Sequence, residues 1–522
     1  MTSIPHNSIV PYHDGMLEYN ALDSAVTLEI WNEISKEFDE DYLEIYHQTE
    51  ALLDPLMYMM TRGIAVDVPA LRAESTHVEK QIEEKQAKLD ELAGFPLNAN
   101  SSKQCQQYFY IDRGITPYTK SVKDRTTGKI EHRVTMDDKA LARIARGTAA
   151  RKPMYEARLI QEIRGLAKLK GTYLDIEFDE DNRMRCSFNP RGTRFSRLSS
   201  SKTIRGTGMN MQNLPASFQR FLVADPGYLA LQLDKQRAEW VVVAYESGDS
   251  NMIHVIEEDK DPHAYTASQM YKVNESLVIR EQELIGHSRD PVFIEEQRKK
   301  IIGVNTSTWP RMMSLRQVGK HSNHGFNYDE GYRTWGLTYE VPEKEAKFAY
   351  NFYHNGYPGI KRWYDFIRGR LVEDNRTLRN SFGRKYHFLA PMNDQLYKQA
   401  YSYLPQSTVV DLVNRAINEI YYDRVPDVED VELLSQVHDS IWIQHPVGDW
   451  PKMARAAKSC AKALTPEIRT AYSDRPYVIG TDCIVGTNFF EGDQVEIDLS
   501  LPVDALADQL KQAYEICQER ER

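Results

Sequence analysis

The sequence predicts an α+β chain, on three observations: long stretches with apolar residues at helical spacing, two β-patterned segments, and a length too great for one core. At 522 residues the chain exceeds the roughly 250–300 residues at which a single hydrophobic core stops growing, so several packed units are expected. Residues 19–60 carry a helical apolar period, and 66–95 give a second amphipathic helix ending at Gly94. From 96 to 135 the composition turns polar and rich in Gly, Thr and Lys, reading as loop with short elements, and helix returns over 136–175. Tyr228 to Asp234 alternates leucine at period two after the turn signal Asp225-Pro226-Gly227, which puts Asp234 at a strand end. Residues 236–420 read as largely helical, with breaks at Gly331, Tyr357-Pro358-Gly359 and Gly383. A second alternating segment sets Leu434, Gln436 and His438 on one parity and Val437, Asp439, Ile441 and Ile443 on the other. Asp439 is thereby expected as a carboxylate embedded in a β-patterned apolar stretch. The tail after Phe490 is acidic and then helix-patterned from about Pro502.

No run of about 20 apolar residues occurs, and the first residues lack the charged-then-apolar order of a signal peptide, so a cytoplasmic protein with no membrane partner is expected. The five cysteines are odd in number and far apart, which fits neither a zinc pair nor a disulfide framework. A formal charge of −11 argues against a generic nucleic-acid coat, although local patches decide binding. One such patch is the run from Arg183 to Arg205: seven basic residues and no acidic one, interleaved with Ser, Thr, Asn and Gly. Arginine and small hydroxyls bond phosphate oxygens. Alone, such a run more commonly forms a solvated loop.

Two constellations carry chemistry. Asp234 alone would ordinarily be a helix cap. Paired with Asp439 from a second β segment, it becomes half of a carboxylate couple that repels itself unless cations intervene, and magnesium prefers hard oxygen ligands with positions left for phosphates. Two-metal phosphoryl transfer requires that arrangement. Arg316, Lys320, His324 and Tyr328 recur every four residues and form one stripe along a helix. The cations suit triphosphate oxygens and the ring suits stacking on a base, while the plainer reading is a solvated basic face with a buried tyrosine.

These motifs resemble those of family A DNA polymerases. Asp234-Lys-Gln-Arg-Ala-Glu239 resembles motif A, Arg316-x3-Lys320-x3-His324-x3-Tyr328 motif B, and Gln436-Val-His-Asp439-Ser motif C. In the same order, Arg164 to Tyr173 resembles the thumb-to-palm helix, Ser196 to Ser200 with Asn210 to Pro215 the primer-template loop, and Gln406-Ser-Thr408 the segment before motif C. The resemblance spans roughly residues 46–491. It implies a right-hand polymerase fold: a palm on an antiparallel sheet, helical fingers and a helical thumb. The implied activity is DNA-directed DNA polymerase, adding dNTPs to a primer 3′ hydroxyl with two Mg2+ ions. By position, Asp234, Asp439 and the backbone carbonyl of Lys235 are implied metal ligands. Arg316, Lys320 and His263 are implied to hold the triphosphate, with Lys320 also the proton donor to pyrophosphate. Glu239 is implied to crowd a ribose 2′ hydroxyl, and Tyr328 to pack beside the nascent pair. Arg197 and Gln406 are implied to read the minor groove, His438 to meet the primer terminus, and Asn213 to touch DNA.

Departures from the family pattern sharpen the expectations. Lys235, Gln236 and Arg237 replace the usual middle of motif A and are expected to add positive charge beside the metals. Ser440 replaces a usual glutamate after Asp439, so two essential carboxylates are expected rather than three. His324 stands where Phe or Tyr is usual, and Ser402 replaces a usual Asn. The stretch from Glu281 to Met313 is longer than the bacterial pattern, consistent with a phage-type insertion in the fingers.

Tyr19-Asn-Ala-Leu-Asp23 resembles the last proofreading-exonuclease motif, while its partner motifs would lie upstream of the chain. No 3′-to-5′ exonuclease activity is expected of this chain alone, and residues 1–45 are expected to be the end of such a domain. Two accounts fit this: the exonuclease half is a separate polypeptide, for which residues 1–45 would be the docking surface, or the sequence is a truncated piece of a longer protein; a processivity factor is a further expected partner class beside primer-template DNA and dNTPs. The expected organisation is 46–180 palm entry and thumb, 181–250 palm with motif A, 251–395 fingers with motif B, 396–491 palm with motif C, and 492–522 a helical extension.

Overall fold

The structure, a computed structural model, describes residues 14–123, 129–147, 151–301, 309–339, 341–470, 472 and 475–521. Its first element, helix α1 (Asp14–Ile34), reaches the rest of the chain through Trp31, which packs on Phe38 and Tyr46. Helix α2 (Val68–Ala93) starts where the Asp67 carboxylate accepts the Ala70 amide and ends at Gly94, whose φ of +82° only glycine adopts without strain. Helix α3 (Tyr155–Leu169) packs antiparallel to it, and Leu89, Leu97, Phe109, Ile144, Ile160 and Ile163 share one core. The polar stretch between them holds a hairpin, Thr119–Lys123 with Ile130–Val134, that the sequence showed only as short elements.

A five-stranded antiparallel sheet forms the centre. Its strands are β1 (Tyr228–Lys235), β2 (Glu432–Val437), β3 (Ser440–Pro446), β4 (Thr481–Gly486) and β5 (Val495–Ile497), in spatial order β2-β3-β1-β4-β5. Because side chains alternate across a strand, Leu229, Leu231 and Leu233 share one face with Ile441, Ile443, Cys483 and Val485. Helix α8 (Trp450–Ala463) and helix α9 (Val503–Glu521) close the sheet's core, α9 burying Leu506, Leu510 and Ala513. The tail helix thus covers the sheet. The other face carries Gln232, Asp234, Ser440, Trp442 and Asp482, and opens as a cleft.

Helix α4 (Ala238–Ser247) follows β1 directly. It is apolar on almost every side because it runs through a second core with Trp335, Tyr353, Trp363 and Tyr401. Around that core lie helix α5 (Pro262–Tyr271), helix α6 (Leu315–Phe326) and helix α7 (Asp394–Tyr421). The expected breaks appear: α6 and its turn end before Gly331, one helix stops at Gly356 and the next begins at Pro358, and Gly383 turns the hairpin Thr377–Arg379 with Lys385–His387. The long stretch Glu281 to Met313, of which 302–308 lie outside the described residues, is pinned by Arg298. Its guanidinium binds Glu281 Oε1 at 2.7 Å and the carbonyl of Met313 at 2.9 Å.

Candidate active site

Asp234 and Asp439 come together, though not as two strand residues. Val437 pairs with Ser440, so His438 and Asp439 form the two-residue turn between β2 and β3. His438 takes the left-handed conformation, φ +55°, that such a turn demands. The expected continuous β stretch is corrected: parity is lost at the turn, and Asp439 swings to the sheet end where Asp234 lies opposite Ser440. On its other side Asp234 faces Asp482 of β4 in direct register. The three lie in a cleft of about 560 Å³ that also receives Glu491 and Glu496.

The electrostatics are those of an uncompensated acidic site. Desolvation and then the charges of Asp439, Asp482 and Glu491 push the Asp234 carboxyl up to about 7. Asp439 is raised by desolvation, with Glu239 adding to it. Neither aspartate forms an ion pair among the described residues. Hard oxygens facing one another without a neutralising side chain fit a divalent cation. Among the described residues, no three His, Cys, Asp or Glu side chains close on one point.

The positive charge expected beside the metals from motif A is absent from the cleft. Lys235 follows Asp234 on the strand and so points through the sheet, where its buried ammonium donates to the carbonyl of Leu464 at 2.6 Å and to Thr481 Oγ1 at 2.8 Å. Burial pushes its pKa down to about 7. Arg237 turns away to donate to the carbonyl of Lys260 at 2.6 Å, and Gln236 bonds Asp482. Asp482 and Glu491 were missed in the sequence. An acidic residue inside the alternating segment 481–486 was the only signal, and it had no motif to mark it.

Beside the carboxylates stands a second group. Arg197 and the Tyr328 hydroxyl both donate to Glu239, in the first turn of α4 and five residues beyond Asp234. Tyr328 lies two residues past the end of α6, so the expected four-residue stripe is helical for Arg316, Lys320 and His324 only. Those three face His263 on α5. Burial first, and the nearby charges of Arg316, His324 and Lys320, push His263 down to about 3, leaving it neutral with its Nδ1 2.9 Å from Asn323. Arg316 is held by Asp261 at 2.7 Å, whose other oxygen caps α5 through the His263 and Ala264 amides. The two helices meet closely because Gly319 has no side chain: a β-carbon there would collide with the His263 carbonyl.

His438 is fixed through its backbone, its amide donating to Gln212 Oε1 at 2.9 Å, while Gln212 also donates to the carbonyl of Gln436 at 2.7 Å. Asn213, exposed, accepts the Tyr173 hydroxyl on its carbonyl at 3.3 Å. Gln406 is half-buried on α7, next to Pro405. Tyr19 and Asp23 lie one turn apart on α1, and neither lines the cleft. The basic run is corrected in part: Arg183 pairs with Asp225, Arg185 with Asp179 and Asp181, and Arg197 with Glu239, leaving Arg191, Arg194, Lys202 and Arg205 outside ion pairs among the described residues.

A central antiparallel sheet with an acidic cleft on one face, flanked by helical units, is a right-hand polymerase fold. The chain belongs to DNA polymerase family A, whose model matches residues 68–284 and 295–471. The unmatched gap falls inside the long stretch that starts at Glu281. The chain is 27% identical over 503 residues to the thermostable DNA polymerase I of Thermus filiformis, covering 92% of this chain and 52% of that protein. To DNA polymerase I of Chloroflexus aurantiacus it is 24% identical over 507 residues, covering 91% and 46%. It therefore spans about half the length of these relatives. In fold it is similar to the POL domain of Pol1 from M. smegmatis, solved in complex with DNA primer-template and dNTP, with a TM-score of 0.64, 19% identity, and coverage of 84% of this chain and 70% of that one.

Proposed function

We propose that the chain is a DNA-directed DNA polymerase that adds deoxynucleotides to a primer 3′ hydroxyl. The observation that carries this is the meeting of Asp234 and Asp439 at one end of the central sheet, with Glu239, Arg197 and Tyr328 beside them. Asp234 and Asp439, with the Lys235 carbonyl, would hold two magnesium ions. When bound, such ions activate the attacking hydroxyl and stabilise the departing pyrophosphate charge.

The remaining work falls to the chain's own side chains. Arg316 and Lys320 on α6 bind triphosphate oxygens, with neutral His263 donating from α5 and His324 at the stripe's outer end. Lys320 Nζ gives its proton to pyrophosphate. Glu239 occupies the space a ribose 2′ hydroxyl needs, and Tyr328, tethered to it, packs beside the nascent pair. Arg197, Gln406, Asn213 and His438 contact the primer-template, where minor-groove acceptors common to all pairs permit a geometric check without sequence preference.

The proposed subdomains follow the same reading: thumb and palm entry over 46–180, palm over 181–250 and 396–491, fingers over 251–395, and the extension 492–522 on the palm. The resemblance of Tyr19 and Asp23 to an exonuclease motif, and the exposure of Leu17, Leu22, Ile30 and Trp31 along α1, support residues 1–45 as a docking surface for a separate exonuclease-bearing polypeptide. No described helix is long and apolar enough to cross a membrane, and we assign the activity to the cytoplasm.

The test is extension of a labelled DNA primer on a template, with dNTPs or NTPs, with and without magnesium. Extension that needs both magnesium and dNTPs is expected. Extension with NTPs alone would point to an RNA polymerase, and no extension under any condition would refute the proposal.

A further inference from the structure

Between the strand residues Ser199–Ser201 and the short helix Met211–Asn213 the chain makes a braced turn. The Gly206 amide donates to the Thr203 carbonyl at 2.9 Å, the Thr203 amide to the Thr207 carbonyl at 3.0 Å, and the two threonine hydroxyls bond at 2.8 Å. Thr207 also donates to Asp179 at 3.0 Å, and Gly208, at φ +69°, sits where a β-carbon would strike the Arg185 carbonyl. This much bracing holds out a single apolar side chain: Ile204 is fully exposed, at 102%. Lys202 and Arg205 flank it, exposed and outside any ion pair among the described residues. The nearby Asp179 and Asp181 are neutralised by Arg185 at 2.9 and 2.8 Å, which leaves Glu180 as the adjacent free acid.

The turn has a defined place relative to the cleft. Its base, through Gln212, grips the turn that carries His438 and Asp439. Its tip shares a surface hollow with Thr61, and the neighbouring Arg62 pairs with Glu432 at the far end of β2. A strand the length of β2 is roughly 20 Å long. A duplex covers that distance in about six base-pair steps.

We propose that the turn Lys202–Gly206 is a minor-groove wedge for the product duplex: Lys202 and Arg205 bind phosphates on either side, and Ile204 enters between base steps about six pairs upstream of the primer end. The proposal rests on the polymerase reading above. Cations astride an apolar tip suit a duplex, whose minor groove offers phosphate on both walls and an apolar floor between stacked bases.

The experiment measures binding of labelled primer-template across a salt series for the full chain and for Lys202→Ala, Arg205→Ala and Ile204→Ser, with 2-aminopurine placed at successive duplex positions. Each lysine or arginine variant is expected to flatten the slope of log K against log salt by about 0.9. Ile204→Ser is expected to weaken binding several-fold at unchanged slope and to abolish a fluorescence rise confined to the fifth to seventh pairs. Wild-type slope and affinity in all three variants, in a preparation that extends primers, would overturn the wedge while leaving the polymerase reading intact. Flattened slopes with no 2-aminopurine response at any position would overturn insertion. A wild-type chain that neither binds nor extends primer-template would overturn the polymerase reading and the wedge with it.

Discussion

Glu239 accepts from Arg197, which arrives from the basic loop, and from Tyr328, which arrives from beyond α6. In the proposed role of Glu239 as a gate against a 2′ hydroxyl, its carboxylate cannot swing aside without breaking both contacts. Glu239→Ala is expected to lower the ratio of kcat/KM for dNTP over NTP by at least about tenfold, worth about 1.4 kcal/mol of discrimination, measured by single-nucleotide incorporation. Glu246, on the opposite end of α4, behaves differently. Burial pushes its carboxyl from 4.5 up to about 8, only partly offset by the Ser381 hydroxyl at 3.3 Å. The folded chain keeps this proton while the unfolded chain releases it, so stability is full below pH 4.5 and falls as the pH rises towards 8. Thermal melts of Glu246→Gln are expected to lie above wild type at pH 8 and to converge with it near pH 5; parallel curves would show that the group does not titrate in this window.

At the scale of elements, the α5–α6 contact aligns Arg316 and Lys320, the cations proposed to bind triphosphate. Gly319→Ala forces a methyl group against the His263 carbonyl, an overpacking that costs about 1–3 kcal/mol. A lower melting temperature and a raised KM for dNTP are expected together; an unchanged KM would detach this contact from substrate binding. The buried Arg298–Glu281 pair, with side chains 6% and 0% exposed, anchors the long stretch before α6. Arg298→Met leaves Glu281 buried and unpaired and is expected to cost about 3–5 kcal/mol by denaturant unfolding. Adding Glu281→Gln should recover part of that loss, since the stranded charge goes with it.

Elements of strong periodicity were legible in the sequence: α2 with its glycine stop, β1 with its leucine alternation, and the tail helix. Asp439 shows the limit. Its stretch alternates well enough to pass for one strand, because a two-residue turn leaves the apolar pattern almost unbroken; the reversal depends on His438 taking a positive φ, for which the sequence has no glycine to signal it. Lys235 shows a different limit. Its charge was visible, but its direction followed from strand parity, and only the fold showed that the carbonyls of Leu464 and Ile479 wait for it on the far side. Asp482 was out of reach for a third reason, since its closeness to Asp234 arises from pairing across 248 positions of sequence in the register of β1 with β4.

For the whole molecule, four cores divide the labour among the described residues: one beneath the sheet, one within the helices around α4, one between α2 and α3, and a small one of Ala264, Ala267, Val278, Ile301, Trp309 and Leu315 where α5 and α6 meet the long stretch before α6. All five cysteines are buried in or beside them, and burial pushes Cys186 and Cys483 up to about 12. No thiol is expected to react with a disulfide reagent at pH 8 in the native state, and all five after unfolding; early reaction would reveal a core that opens. The extension α9 belongs to the sheet core, so Leu510→Ala is expected to cost about 2–5 kcal/mol despite its distance from the cleft. The assembly thereby converges on the end of β1. The most direct test is single-turnover incorporation by Asp234→Asn and Asp439→Asn, with primer-template affinity measured alongside. Each variant is expected to bind DNA within about twofold of wild type and to lose at least a thousandfold in rate, about 4 kcal/mol. Incorporation at near wild-type rate by either one would contradict the assignment of this carboxylate pair as the catalytic centre.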